Sequence, residues 1–102
     1  MEKWLTWDET KRQINLRKHG LDFADAGEVL HSRFRLDVYW QGIDNVQELL
    51  VLSISYALGF LALLSVVHTE RKGFARVISF HRASRIEREV CDAWLENECD
   101  DA

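Results

Sequence analysis

The stretch LLVLSISYALGFLALLSVV, residues 49–67, carries no charged side chain and decides the fold of this 102-residue chain. Its length is just sufficient for a helix that crosses a bilayer. However, YALG at residues 56–59 is typical of a turn, and each half is rich in the Val, Ile, Leu and Phe residues that favour strands. Charged Glu48 and Glu70 lie close to its two ends. We therefore predict a buried β-hairpin and no contact with a membrane.

Capping residues predict two helices before this hairpin. Asp8 is placed to accept hydrogen bonds from the first free N–H groups of a helix that runs to about Lys18, and Gly20 suits the left-handed end of that helix. Asp22 is placed to cap a second, short helix. Within the first helix, Asn15 is expected to be a buried hydrogen-bonding residue.

Three more strands and a closing helix complete the expected fold. Residues 4–7 and 74–80 are predicted strands, and residues 34–40 alternate apolar and polar side chains as a half-buried strand does. SRIE at residues 84–87 is a capping box that opens the last helix. The apolar side of that helix is expected to comprise Ile86, Val90, Ala93 and Trp94.

This order of elements predicts one α+β domain over residues 1–102, with an antiparallel sheet of about four strands, N-terminal helices and a C-terminal helix. The two hairpin strands are apolar on both faces, whereas an antiparallel sheet with one face in water alternates more clearly. Either helices cover both faces of the sheet, or a partner chain covers one of them.

Charge is segregated along a chain whose net charge is -4. Residues 1–20 carry five Lys or Arg against three acids, and residues 71–88 carry six against one. Two such blocks either merge into a patch that binds a phosphate backbone or remain separate solvated faces. Cys91 and Cys99 lie eight positions apart, which matches no metal-ligand spacing. We therefore expect free thiols in a reducing cytoplasm, and neither a metal nor a cofactor.

Motifs at both ends of the chain resemble the BrnT-type toxins. WDETKRQINLRKHGLDFADA at residues 7–26 is similar to the opening of that family, and VVHTER (66–71), RVIS (76–79) and RASRIER (82–88) are similar to its closing part. The resemblance implies a RelE-like fold and the toxin of a bacterial type II toxin–antitoxin pair. It further implies a metal-independent endoribonuclease that inhibits translation.

The same resemblance implies the partners. They are RNA and a BrnA-like antitoxin, with operator DNA reached only through the antitoxin, and a dimer or a heterotetramer with the antitoxin is expected. Metal-independent cleavage needs proton transfer at the ribose 2′-hydroxyl and cations at the phosphoryl oxygens, roles that suit His and Arg. In the matching motifs the expected catalytic residues are Arg71, Arg76, His81 and Arg82, and the expected RNA-binding residues are Lys11, Lys18, His19 and Arg85.

Strand alternation sorts some of these residues. If the alternation continues beyond the predicted strand, one face carries Arg76, Ile78, Phe80 and Arg82 and the other carries Val77, Ser79 and His81. His81 and Arg82 then converge only if the strand breaks near Phe80. Arg85 has an alternative role as the ion-pair partner of Glu89.

A second function also stays open. The family commonly has an arginine where this chain has Glu48, and a basic pair where it has His81 and Arg82. The alternative is a weakened or inactive module that binds its antitoxin and contributes to operon repression.

Overall fold

A computed structural model describes residues 4–41, 49–57, 59, 62–71 and 73–100 of the chain. The elements in chain order are β1 (Leu5–Trp7), α1 (Glu9–His19), a 3-10 turn (Phe23–Asp25), α2 (Gly27–Leu30), β2 (Leu36–Gln41), β3 (Leu49–Ala57), β4 (Ala62–Arg71), β5 (Phe74–Arg82) and α3 (Arg85–Asp100). The α+β class is as predicted from the sequence.

The apolar stretch is a hairpin, as predicted. Strands β3 and β4 pair antiparallel from Leu50 opposite Thr69 to Ala57 opposite Ala62. In the described part of the chain, no helix combines the length and apolarity that a membrane span needs.

The sheet has five strands in the order β1-β5-β4-β3-β2 and is mixed, which corrects the expected four antiparallel strands. Strand β1 adds to the free edge of β5 and runs parallel to it, with Leu5 opposite Ala75 and Trp7 opposite Val77. Helix α1 follows β1 directly, so the chain leaves this edge strand without a hairpin partner. The local sequence predicted the strand but not its pairing, which joins segments 70 residues apart.

The predicted caps are confirmed. The Asp8 carboxylate accepts hydrogen bonds from the N–H groups of Thr10 (2.8 Å) and Lys11 (3.2 Å). At the other end of α1, Gly20 has φ 71° and donates to the carbonyl of Leu16 at 2.8 Å. This left-handed backbone suits a glycine because a Cβ there would be strained.

The two faces of the sheet pack against different helices. On the α1 face, defined by Leu64, Val66, Ala75, Val77 and Phe80, the strands pack against the 3-10 turn and α2. Phe23 and Phe80 are fully buried there, and each such ring stabilises the fold by roughly 1.5–3 kcal/mol. On the α3 face, defined by Ile54 and Leu63, the strands pack against Cys91 and Leu95 of α3. Helices therefore cover part of each face.

The predicted buried side of α3 is wrong. Cys91 is 1% exposed and Leu95 packs on the sheet, whereas Ile86 and Val90 are 73% and 45% exposed. The cause lies in the first turn, where Glu87 receives a hydrogen bond from Ser65 of β4. Cys91 and Leu95, four and eight positions after Glu87, then face the sheet, so the apolar side chains of Ile86 and Val90 face outward.

Candidate active site

A β-bulge in β5 sets which side chains reach the site. Val67 pairs with Ser79 while the next residue, His68, pairs with Val77, so Ile78 has no partner across the ladder. The extra residue reverses the alternation from that point. Because cross-strand partners share a face, Arg76, Ser79 and His81 lie on the α3 face and Arg82 on the α1 face. The expected grouping of Arg76 with Arg82 is therefore wrong.

Asn15 fixes the position of β5 beyond the bulge. Strand β1 pairs only with residues 75–77, and Asn15 takes its place farther along. Its amide donates to the carbonyls of Phe80 (2.7 Å) and Leu21 (3.0 Å) and accepts from the N–H of Phe80 (3.1 Å). With Asn15 7% exposed, the prediction of a buried hydrogen-bonding residue is confirmed. This clamp brings the last turn of α1 beside the end of β5.

The two histidines of these segments meet at this junction. The ring centroids of His19, at the end of α1, and His81, near the end of β5, are 5.6 Å apart, with the planes inclined at 41°. Partial burial, His81 and Lys18 together lower the pKa of His19 below its ordinary value of 6.5. A neutral His19 near pH 7 has a free lone pair and is suited to accept a proton.

His81 is held at both ring nitrogens. Its Nε2 lies 3.1 Å from a carboxylate oxygen of Glu87, and its Nδ1 lies 3.2 Å from the hydroxyl of Ser79. An ionised carboxylate only accepts hydrogen bonds, so Nε2 carries the hydrogen. In the neutral ring the Nδ1 lone pair then faces the Ser79 hydroxyl.

Glu87 is the anchor of this arrangement. Its carboxylate also accepts hydrogen bonds from the N–H of Ser84 (2.8 Å) and the hydroxyl of Ser65 (3.0 Å), while the Ser84 hydroxyl accepts from the N–H of Glu87 (3.2 Å). Burial alone raises the pKa of Glu87, but the hydrogen bonds from Ser84 and Ser65 and the proximity of His81 outweigh it and lower the pKa. The capping box of α3 and the support of His81 therefore share one ionised carboxylate.

We call His19, Ser79, His81 and Glu87 the histidine junction, and a cation is the sequence neighbour of each of its histidines. Lys18 and Arg82 are exposed and, within the described residues, form no ion pair. Arg12 is not available to a ligand in the same way, because Glu9 and Asp22 hold its guanidinium at 2.6 and 3.0 Å.

Arg85 has the ion-pair partner that its alternative role predicted. Its side chain is 91% exposed and lies 3.4 Å from Glu89. Such an exposed pair contributes only about 0.3–0.5 kcal/mol. Lys11 is exposed on α1, two turns before Lys18 and about 10 Å from it along the helix.

The other expected site residues lie away from the histidine junction. Arg76 is exposed opposite Thr69 on the same sheet face as His81, but about 15 Å along the strand from it. The backbone of Arg71 ends β4 opposite Phe74, and its side chain is not among those described. Glu48, on which the alternative function depends, lies outside the described residues.

Ser79, Ser65 and Glu87 were not among the expected site residues. The spacing of the capping box pointed to Glu87 as a helix residue, but only the bulge and the pairing of β4 with β5 bring Ser65 and His81 to it.

A second polar cluster lies inside the sheet. His68 is fully buried, its Nε2 lies 2.8 Å from the Ser53 hydroxyl, and that hydroxyl lies 2.6 Å from Asp37. Ser53 has one hydrogen, which it donates to the carboxylate, so His68 donates from Nε2 and leaves Nδ1 without a hydrogen-bond partner. The cluster therefore links β2, β3 and β4 through their side chains.

A cavity of about 510 Å³ lies between α2 and the end of β3 and shares no residue with the histidine junction. Its lining includes Asp25, Glu28, His31 and Tyr56. Two carboxylates repel a phosphate backbone, so this cavity is a poor site for RNA.

A family model described as "Ribonuclease toxin, BrnT, of type II toxin-antitoxin system" matches residues 7–87, a range that contains every residue of the histidine junction. No curated protein matches the chain.

Proposed function

Because the chain belongs to the BrnT family of ribonuclease toxins of type II toxin–antitoxin systems, we propose that it cleaves RNA without a metal ion at the histidine junction. Cleavage of cytoplasmic messenger RNA inhibits translation. Family membership also implies an antitoxin partner. We propose that this partner is BrnA-like and carries the operator contacts of the pair.

One observation carries the proposal: two imidazole rings lie 5.6 Å apart, and a carboxylate holds one of them in place. His19, with its lowered pKa, removes the proton from the 2′-hydroxyl, whose oxygen attacks the adjacent phosphorus. The bond from phosphorus to the 5′ oxygen breaks as the new bond forms. His81 acts in its protonated form, with hydrogens on both ring nitrogens, and gives the Nδ1 proton to that leaving oxygen while Nε2–H stays on Glu87. The products are a 2′,3′-cyclic phosphate and a 5′-hydroxyl, so the step needs neither water nor a redox partner.

The cations supply the electrostatic part of the reaction. Arg82 is the proposed ligand of the phosphoryl oxygens in the transition state. It lies on the opposite face from His81, but it is the last residue of β5, where a phosphate at the strand end is within reach of both faces, and it is exposed and free of ion pairs among the described residues. Lys18 and Arg85 bind the same phosphate or its neighbours. Arg76, Arg71 and Lys11 are proposed contacts to phosphates farther along the strand, since a single-stranded RNA extends over several nucleotides.

The test is cleavage of a labelled single-stranded RNA by the purified chain in the presence of a chelator. We expect fragments that end in a 2′,3′-cyclic phosphate, and a loss of roughly 100-fold or more in rate for His81→Ala and for His19→Ala. Arg33→Gln, an exposed cation outside the junction, is the control and keeps the wild-type rate. Thermal unfolding of each variant checks that the fold is intact.

The alternative, an inactive module that binds its antitoxin and contributes to repression of the operon, makes the opposite prediction. Intact RNA at high protein concentration, together with normal growth of cells that express the chain alone, would favour that alternative. Growth arrest that the antitoxin relieves and that His81→Ala abolishes supports the nuclease.

A further inference from the structure

Helix α3 has an apolar stripe that the fold leaves open. Ile86, Val90 and Ala93 follow the spacing of one helix face, and Ile86 and Val90 are 73% and 45% exposed. Ala93 is also exposed, and Trp94 at the border of the stripe is half-buried. Small monomeric proteins rarely leave such a stripe in water unless it contacts a partner. We call Ile86, Val90 and Ala93 the α3 stripe.

The charges beside the α3 stripe restrict what binds there. Glu89 and Glu96 project next to it, one and nearly three turns into the helix, and both are exposed. Carboxylates in these positions disfavour the phosphates of RNA, although Glu89 also pairs with Arg85 at 3.4 Å. They also disfavour a second copy of this chain, because a two-fold contact would place the acidic borders of both copies against each other. A partner with lysines or arginines beside an apolar anchor is complementary to this surface.

We propose that the α3 stripe is the docking surface for the antitoxin, which presents a basic amphipathic helix to it. This rests on the proposed function only in that it uses the antitoxin partner of the same toxin. Ile86 and Val90 are the apolar anchors, since large exposed side chains at the centre of an interface contribute most of its affinity. Glu89 and Glu96 pair with basic side chains of the bound helix.

The position of the α3 stripe gives the docking a consequence for the site. Ile86 lies between Arg85, a proposed RNA ligand, and Glu87, the anchor of His81. A helix seated on Ile86 covers the outer side of the first turn of α3, next to Arg85. Antitoxin binding therefore competes with RNA for Arg85.

The test is titration calorimetry of the purified chain with its purified cognate antitoxin. Ile86→Lys and Val90→Lys place a cation against the proposed basic helix, and each is expected to weaken binding by tenfold or more. Glu89→Lys is expected to weaken it severalfold at low salt and less at high salt. The matched control is Phe34→Lys, which changes an equally apolar and 68% exposed side chain before β2 and keeps wild-type affinity.

Three results would overturn the proposal: wild-type affinity in both Ile86→Lys and Val90→Lys, an equal loss in Phe34→Lys, or a wild-type chain that sediments alone as a dimer and becomes a monomer on Ile86→Lys. Val90→Lys should keep the wild-type rate of RNA cleavage without antitoxin and be inhibited less by it. If no variant cleaves RNA but antitoxin binding responds as expected, the nuclease proposal fails and the docking surface stands.

Discussion

His81 donates its Nε2–H to Glu87 over 3.1 Å, and the same Glu87 oxygen accepts the N–H of Ser84 at the start of α3. One carboxylate therefore both opens a helix and selects the tautomer of a candidate proton-transfer group. Helix formation and assembly of the site are coupled through this residue.

The substitution Glu87→Gln should separate the two roles of Glu87, which are helix capping and support of His81. The amide oxygen of Glu87→Gln still accepts from Ser84, so the helix start is kept and the free energy of unfolding falls by only about 1 kcal/mol. That oxygen also stays 3.1 Å from Nε2 of His81, while the amide N–H₂ replaces the second oxygen, 3.3 Å from the same Nε2–H, so two donors meet there and the support of His81 is weakened. We expect a loss of roughly 100-fold in cleavage rate. Urea unfolding measures the stability, and single-turnover cleavage measures the rate. If Glu87→Gln lost as much free energy of unfolding as Glu87→Ala, the two roles of Glu87 would not be separable.

The lowered pKa of His19 predicts an acidic limit to activity. His19 accepts a proton only when neutral, so kcat/KM should fall as the pH drops below 6.5 and through the lowered pKa. Because Lys18 is one cause of the lowering, Lys18→Gln should move this limit to higher pH. His19→Gln should be slow at every pH and lack the limit. The measurement is kcat/KM between pH 5 and pH 8, and an unmoved profile in Lys18→Gln would count against His19 as the base.

Replacing Asn15 should lower the free energy of unfolding, because Asn15 holds the end of β5. Asn15→Ala leaves the carbonyls of Phe80 and Leu21 and the N–H of Phe80 without this buried partner, at about 1–3 kcal/mol for each unsatisfied group before water enters. We expect a loss of about 3 kcal/mol in the free energy of unfolding, measured in urea. Gln13→Ala, on the exposed side of the same helix, should change it by less than about 0.5 kcal/mol. A loss in Asn15→Ala as small as that of the control would show that the clamp is dispensable.

Because His68 is buried, we predict that the fold becomes less stable in acid. Burial lowers the pKa of His68; Arg35 acts in the same direction, and Glu70 and Asp37 oppose it without reversing it. As the pH falls through 6.5, His68 therefore becomes protonated in the unfolded chain before it does so in the folded chain. The free energy of unfolding should fall as the pH drops below 6.5, by at most about 1.4 kcal/mol per pH unit from this residue. Wild type and His68→Gln, each unfolded in urea at pH 7.5, 6.5 and 5.5, should differ in this slope. Parallel slopes would contradict the assignment.

What the sequence could predict was local. The Asp8 and Gly20 ends of α1 and the Ser84–Glu87 capping box each depend on residues a few positions apart, and all are present. The hairpin is also present, but Tyr56 and Ala57 of the predicted turn belong to β3. The helix capping and turn preferences that produce them act before any tertiary contact forms.

What the sequence could not predict depended on distant contacts. The parallel pairing of β1, the bulge at Ile78 and the outward turn of the α3 stripe each follow from pairing or packing across the sheet. His19 and His81 were both expected in the site from motifs, but their approach needs the clamp by Asn15, 65 positions from Phe80 in sequence.

The unpaired Ile78 also means that register, and not only residue identity, determines the chemistry at the end of β5. If Ile78 were paired with Val67 in a regular ladder, every later residue of β5 would shift by one position, and His81 and Arg82 would exchange faces. A guanidinium that cannot lose its proton would then replace an imidazole beside Glu87. A bulge of one residue thus decides whether a proton-exchanging group or a permanent cation lies at this carboxylate, without any substitution at either position.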